Sequence, residues 1–135
     1  MAGWLLKTEP SEYSFADLLR ERRTAWDGVT NALALKYLRA MRKADRAFVY
    51  HTGSERAIVG VARVVSDPYL ASREASVVGW VVDVEAEGWL GRPVTLAEMK
   101  SSELFAGFEL LRLPRLSVMP VPPVIWRAVE DLARQ

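Results

Sequence analysis

Polar side chains that form hydrogen bonds stand beside tryptophan in two short segments near the start of the chain. The first segment is Trp4-Leu5-Leu6-Lys7-Thr8-Glu9-Pro10, and the second is Trp26-Asp27-Gly28-Val29, with Asn31 two residues later. Pro10 lacks a backbone donor and biases Glu9 toward extended geometry, while Gly28 allows a backbone conformation that other residues resist. Each segment therefore sets an aromatic ring next to hydrogen-bonding groups at a chain break. A pocket for a flat heterocycle needs this combination.

Trp26 is the tryptophan that we expect outside the core. It stands between Arg22-Arg23 and Asp27-Gly28, in a polar stretch that offers no apolar neighbours. Asp27 has two interpretations, since an aspartate in this position also caps turns. The remaining tryptophans are expected in core or edge packing, because large aromatic side chains are usually buried; they are Trp4, Trp80, Trp89 and Trp126.

The other residues that carry chemistry exclude several classes of site. His51 is the only histidine, and in a strand it is more often a structural hydrogen-bonding residue than a catalyst. The chain has no cysteine, which rules out a thiolate nucleophile and a disulfide framework. No glycine-rich phosphate loop, paired metal-ligand spacing or nucleophile elbow is present in the sequence. We therefore expect no metal and no cofactor.

Charge is distributed unevenly along the chain. Residues 20–46 hold eight basic and three acidic residues, whereas residues 67–109 hold three basic and eight acidic ones, although the net charge is only +1. Such a chain can present a basic face to phosphate groups. The candidate residues for phosphate contact are Lys36, Arg39, Arg42 and Lys43. The alternative is that these four residues are the solvated face of a helix.

Sequence patterns predict one α+β domain over residues 1–135. Strands are predicted at 4–7, 46–51, 57–65, 77–87 and 116–121, with a loop between Val65 and Val77. Helices are predicted at 14–22, 31–41, after Thr95 and from Pro123 onward. Because strands outnumber the helices that cover them, a small curled mixed sheet or barrel with short helices outside is expected. No apolar run approaches the roughly 20 residues of a membrane span, and we expect a cytoplasmic monomer.

An ordered set of motifs resembles the EVE domain, a PUA-like domain related to the YTH and ASCH domains. Besides the two tryptophan segments, the similar stretches are Phe48-Val49-Tyr50-His51-Thr52, Ile58-Val59-Gly60-Val61-Ala62, Arg92-Pro93-Val94-Thr95-Leu96 and Arg115-Leu116-Ser117-Val118-Met119-Pro120-Val121. The resemblance covers nearly the whole chain. It implies a PUA-like barrel that reads a modified base, such as a modified cytosine or adenine, in DNA or RNA.

The resemblance also implies a set of ligand-binding residues, which come from the matching motifs. They are Lys7, Thr8, Glu9, Pro10, Trp26, Asp27, Gly28, Val29, Asn31, Tyr50, His51, Thr52 and Ser117. In this interpretation Trp26 stacks on the base, which is worth ~1–3 kcal/mol, and Trp26→Ala should leave the melting temperature nearly unchanged. Many members of the family carry arginines where this chain has Thr30 and Leu35, so two cations of the pocket rim are missing unless Lys36 and Arg39 compensate.

Two other functions stay open at the level of sequence. One is an amidohydrolase of the ASCH type that uses Lys7, Thr8 and Glu9. Adjacent residues of a strand point to opposite faces, so these three side chains are not expected to converge on one substrate. The other is a protein-binding scaffold without a pocket, which a buried Trp26 would support. An open cavity with Lys7, Trp26 and Asp27 on its wall would favour a reader of bases.

Overall fold

The computed structural model describes residues 2–74 and 77–135, and its centre is a mixed β-sheet. Within these residues the strands are β1 (Gly3–Thr8), β2 (Arg23–Trp26), β3 (Arg46–His51), β4 (Ala57–Val64), β5 (Tyr69–Glu74), β6 (Val77–Thr95) and β7 (Val118–Pro120). The strand order is β2-β6-β4-β3-β1-β7, and β5 pairs with β6 beside this path. No pairing between described residues joins β2 to β7, so the sheet stays open.

Short helices flank the sheet. They are α1 (Phe15–Glu21), α2 (Ala32–Ala40), α3 (Leu96–Lys100), α4 (Glu109–Arg112) and α5 (Pro123–Ala133), with a 3-10 turn at Glu103–Phe105. Ser14 with Asp17, and Thr95 with Glu98, form the reciprocal capping boxes that the sequence predicts. Asn31 caps α2 by accepting a hydrogen bond from the backbone N–H of Ala34. The predicted α+β architecture with flanking short helices is confirmed.

The parallel pair β1 and β3 brings two of the sequence motifs side by side. Leu6 lies opposite Val49, Lys7 opposite Tyr50 and Thr8 opposite His51. Most residues of β3 and β4 and the middle of β1 (Trp4, Leu5 and Leu6) are buried, because helices cover both faces of the middle of the sheet. The polar residues of both motifs therefore emerge together, where these buried strands end.

The uneven charge of the sequence is partly neutralised between strands. Arg23 of β2 forms an ion pair with Glu85 of β6 at 2.9 Å, and Arg46 of β3 pairs with Glu87 of β6 at 3.1 Å. Carboxylates of β6 therefore neutralise two of the basic residues in the segment 20–46. The cations of α2 and of the turn after it form no ion pair with a residue that the structure describes.

Several element predictions were wrong in extent. Residues 23–26 form β2 and residues 69–74 form β5, both in stretches without a predicted strand, and β6 continues to Thr95 rather than ending near Glu87. Both missed strands are short and pair only with β6, and β2 is rich in polar residues. Such strands are stabilised by pairing with β6. A local sequence pattern does not show that this distant strand is available as a partner.

Candidate functional site

A cavity of about 320 Å³ lies where β1 and β2 end. Its size is at the lower end of the range for small-molecule pockets, roughly 300–1,000 Å³. We call it the Lys7–Trp26 cavity. Its lining residues are Lys7, Thr8, Tyr13, Glu21, Thr24, Ala25, Trp26 and Asp27. The wall thus combines two aromatic rings with a cation, two carboxylates and three hydroxyl groups, one of which belongs to Tyr13.

The aromatic part of the wall is a pair of rings at right angles. The centroids of Tyr13 and Trp26 are 6.2 Å apart, and their planes meet at 82°. The hydroxyl of Tyr13 donates a hydrogen bond of 2.6 Å to Glu21 Oε1. Burial, and then this bond to a carboxylate, raise the pKa of Tyr13 to about 12. Tyr13 therefore keeps its proton and holds Glu21 at the cavity.

The expectation that Trp26 lies outside the core was wrong. Trp26 is only 7% exposed and belongs to the hydrophobic core, opposite the buried Val82 of β6. The reason is the alternation of β2: Arg23 and Ala25 are exposed, whereas Thr24 and Trp26 turn inward. The polar residues beside Trp26 in the sequence therefore do not indicate which face of β2 it occupies. Its burial does not remove the pocket, since the same residue lines the cavity.

Lys7 is the cation of the wall. Its Nζ donates a hydrogen bond of 2.8 Å to the carbonyl oxygen of Pro114 and lies 5.7 Å from the ring centre of the buried Tyr50. Burial lowers the pKa of Lys7, because the charged form loses solvation. One carbonyl satisfies only one of the three donors of an ammonium group, so Lys7 can still donate to an acceptor in the cavity.

Glu9, the neighbour of Lys7 and Thr8, does not line the cavity. Its carboxylate accepts hydrogen bonds from Thr52 Oγ1 at 2.9 Å and from the hydroxyl and backbone N–H of Ser11. A Cβ on Gly53, whose φ is +77°, would lie 2.8 Å from the same carboxylate. These bonds lower the pKa of Glu9, the one from Thr52 most. The side chains of Lys7, Thr8 and Glu9 are therefore not assembled into one catalytic group.

His51 is a structural hydrogen-bonding residue. It is 5% exposed, and its Nε2 accepts a hydrogen bond of 3.0 Å from the backbone N–H of Phe15. Its Nδ1 lies 2.8 Å from Glu55 Oε1. Because Nε2 accepts, Nδ1 carries the proton and donates to Glu55. His51 joins the end of β3 to the start of α1 and is not on the cavity wall.

The other predicted ligand residues do not line the cavity. Tyr50 is buried beneath Lys7, Thr52 binds Glu9, and the carbonyl oxygen of Ser117 accepts the backbone N–H of Lys7 at 2.9 Å. Pro10 lies in the turn after β1. In the second segment, Gly28 has a φ of +77°, Val29 packs on the core and Asn31 caps α2.

The predicted phosphate-binding residues are exposed on α2 and the turn after it. Arg39 lies 4.3 Å from the ring centre of Trp80, and Arg42 donates to the carbonyl oxygens of Arg39 and Met41 at the end of the helix. Lys36 lines a shallow groove beside Leu35, and the backbone N–H of Lys43 donates to Asp67. Arg39 and Arg42 therefore also support the fold, whereas the two lysine side chains extend into solvent.

Sequence reasoning missed four residues of the wall: Tyr13, Glu21, Thr24 and Ala25. The sequence does indicate where Tyr13 lies, because Tyr13 directly precedes Ser14, the first residue of the capping box of α1. No sequence pattern indicates that Glu21 and Thr24 lie at the cavity, since β2 was not predicted. Within residues 2–74 and 77–135, no group of three or more metal-binding side chains is found, and no helix is long and apolar enough to cross a membrane.

The chain is similar in sequence and structure to a family of known proteins. The model of the EVE domain family matches residues 2–132. The curated human protein thymocyte nuclear protein 1 is 32% identical over an alignment of 124 residues, and the match covers 73% of this chain and 55% of the human protein. The chain thus spans about half the length of this curated relative.

Solved structures match over the whole chain. The NMR structure of Rpa0253 from Rhodopseudomonas palustris is 37% identical, has a TM-score of 0.92, and covers 99% of this chain and 94% of its own. The crystal structure of human THYN1 in complex with DNA containing 5-methylcytosine is 26% identical, has a TM-score of 0.90, and covers 100% of this chain and 99% of its own.

Proposed function

Because the chain belongs to the EVE domain family, we propose that it binds DNA and accepts a modified base in the Lys7–Trp26 cavity. The observation that carries this proposal is the composition of the wall. Two aromatic rings are combined there with donors and acceptors that match the edge of a base. The complex of human THYN1 with 5-methylcytosine DNA supports cytosine as the base.

The polar groups of the wall suit a cytosine edge. Carboxylates accept hydrogen bonds from the exocyclic amino group of cytosine, and Glu21 and Asp27 supply two of them. Lys7 supplies donors for the ring nitrogen and the carbonyl oxygen of the base, whereas the hydroxyl of Thr8 already donates a hydrogen bond of 2.6 Å to the carbonyl oxygen of Tyr13. A base inside a duplex cannot reach a cavity, so the nucleotide must be unpaired or turned out of the helix, at a cost of a few kcal/mol.

The chemistry we propose is recognition rather than reaction. The three residue types of an ASCH-type amidohydrolase are present, but Glu9 is bound to Thr52 and Ser11 and takes no part in the cavity. The scaffold hypothesis depended on a buried Trp26, and Trp26 is buried. However, a protein-binding scaffold does not require a cavity that contains a partly desolvated lysine and two carboxylates, whereas a base-binding pocket does.

The test compares binding to two oligonucleotides that differ only in one 5-methyl group on cytosine. We expect the methylated DNA to bind about ten- to a hundredfold more tightly, because a methyl group that fills an apolar gap contributes ~1–3 kcal/mol. Lys7→Met keeps the length of the side chain and removes its charge. It should lower affinity for the methylated DNA about tenfold or more, as the loss of a charged hydrogen bond is worth about 1.5–3 kcal/mol.

Lys100→Met is the matched control, since Lys100 is an exposed lysine of α3 and does not line the cavity. It should bind as the unsubstituted protein does. Equal affinity for the two oligonucleotides, or equal losses for the two lysine variants, would count against the proposal. The same titrations with RNA of the same sequence decide between the two nucleic acids.

A further inference from the structure

A second depression borders the Lys7–Trp26 cavity and has no role in the site described above. It has a volume of about 330 Å³ and lies between the start of α2 and the chain that follows α4. We call it the Arg112–Arg115 groove. Its lining residues are Asn31, Leu33, Arg112, Leu113, Pro114, Arg115 and Leu116.

A hydrogen bond of Lys7 connects the groove with the cavity. On one side, Lys7 lines the cavity while its Nζ bonds at 2.8 Å to the carbonyl of Pro114, which lines the groove. On the other side, Asp27 lines the cavity, and four residues later Asn31 lines the groove. The two depressions are therefore neighbours at Lys7 and Pro114.

The charge of the groove is positive. Arg112 and Arg115 are exposed, and none of the lining residues is acidic. Arg115 forms no hydrogen bond or ion pair with any residue that the structure describes. Glu109, one turn before Arg112, accepts instead a hydrogen bond of 2.9 Å from the hydroxyl of Tyr37. Neither guanidinium group forms an ion pair with a carboxylate of the described residues, and both can bind phosphate, which arginine contacts with two parallel hydrogen bonds.

The floor and rim of the groove are apolar. Leu33 and Leu113 are 36% and 37% exposed, and Pro114 adjoins them. An apolar surface between two cations fits a nucleotide, whose sugar and base face are apolar and whose phosphates carry the charge. Phosphate contacts set the position of a protein on DNA and carry no information on sequence.

We infer that the Arg112–Arg115 groove binds the phosphate groups of the DNA strand next to the base held in the Lys7–Trp26 cavity. This inference rests on the proposed function and adds the position of the backbone to it. In this arrangement the cavity selects the base, and Arg112 and Arg115 hold the flanking strand. The groove also supplies positive charge beside the start of α2, where Thr30 is neutral.

The experiment measures how affinity for DNA with and without 5-methylcytosine depends on salt. The variant is the double substitution Arg112→Gln with Arg115→Gln. Each lost phosphate contact reduces the slope of log affinity against log salt by about 0.7 for single strands and 0.9 for duplexes. We expect the slope to become shallower by about 1 to 2, with an equal loss of affinity for methylated and unmethylated DNA and an unchanged ratio between them.

Two further variants keep the result unambiguous. Arg127→Gln with Arg134→Gln removes the same charge from α5 and the residue that caps its end, outside the groove, and should leave the slope closer to that of the unsubstituted protein. Arg112→Lys with Arg115→Lys keeps the charge and should restore most of the slope, while affinity stays reduced because lysine cannot bind phosphate in the two-pronged manner.

The outcomes separate the groove from the cavity. A slope that is the same for the glutamine variant and the unsubstituted protein overturns the inference, as does an equal effect of the α5 variant. An unsubstituted protein that binds DNA without preferring the methylated base refutes the cavity's selectivity, and the slopes still report on the groove. An unsubstituted protein that binds no DNA overturns both proposals. Circular dichroism confirms that each variant is folded.

Discussion

The ring of Tyr13 meets the ring of Trp26 edge to face, 6.2 Å between centroids, and both side chains line the same cavity. Trp26 is at the same time part of the hydrophobic core. The core and the candidate binding site therefore share one residue. Stability and recognition are coupled at this position, so a variant of Trp26 has to be tested for both.

Trp26→Ala should destabilise the protein by ~3–5 kcal/mol, because it leaves a cavity in the core. This replaces the expectation from the sequence that the melting temperature would hardly change. Trp89→Ala is the control: Trp89 is 56% exposed and contacts Phe15 at 4.9 Å between ring centroids, so its loss should cost about 1 kcal/mol. Urea denaturation measures both values, and equal costs for the two variants would contradict the burial of Trp26.

Tyr13 should make the protein less stable at high pH. Its pKa is about 12 in the folded protein, against about 10 for a free tyrosine, so the fold favours the protonated hydroxyl. That stabilisation is fully present below pH 10 and is lost as the pH rises from 10 to 12, because the unfolded chain ionises first. Tyr13→Phe should flatten this decline. The absorbance of tyrosinate at alkaline pH, read with denaturant melts, checks both points; an unchanged decline in the variant would contradict the assignment.

The predictable part of the site is the part whose backbone is set by local sequence. The capping boxes at Ser14 and Thr95 and the cap at Asn31 depend on residues three positions apart, so a sequence pattern reveals them. Lys7 was predicted because it stands near the end of β1, and Asp27 because it precedes a glycine, which has a positive φ in the structure.

The rest depends on contacts between distant segments. Glu21 reaches the cavity wall only because α1 leads into β2, which pairs with β6 some sixty residues later. Trp26 was misplaced for the same reason, since its inward face is defined by that pairing. The Arg112–Arg115 groove joins α2 to residues about eighty positions further on, and no local pattern links them.

His51 should matter for stability and not for DNA recognition. Its Nε2 accepts the buried backbone N–H of Phe15, and His51→Leu leaves that donor without a partner, at a cost of about 1–3 kcal/mol. Glu55→Gln is the control: an amide oxygen still accepts from Nδ1, and Glu55 is exposed, so the cost should be well below 1 kcal/mol. Thermal unfolding measures the difference. A folded His51→Leu protein that loses its preference for methylated DNA would instead return His51 to the binding site.

The last prediction concerns the exposed lysines of the basic segment on α2. The side chains of Lys36 and Lys43 form no hydrogen bond or ion pair with a residue in the described ranges, whereas Arg39 packs on Trp80 and Arg42 binds helix carbonyls. Lys36→Gln with Lys43→Gln therefore removes two charges without disturbing the fold, and the free energy of unfolding should change by less than about 0.5 kcal/mol.

If these lysines contact phosphate, the double variant should weaken binding to all DNA sequences equally and make the salt slope shallower by about 1 to 2. Lys36→Arg with Lys43→Arg retains the charge and should keep the slope. A slope unchanged in the glutamine variant would identify the lysines as the solvated face of the helix and leave backbone contact to the Arg112–Arg115 groove.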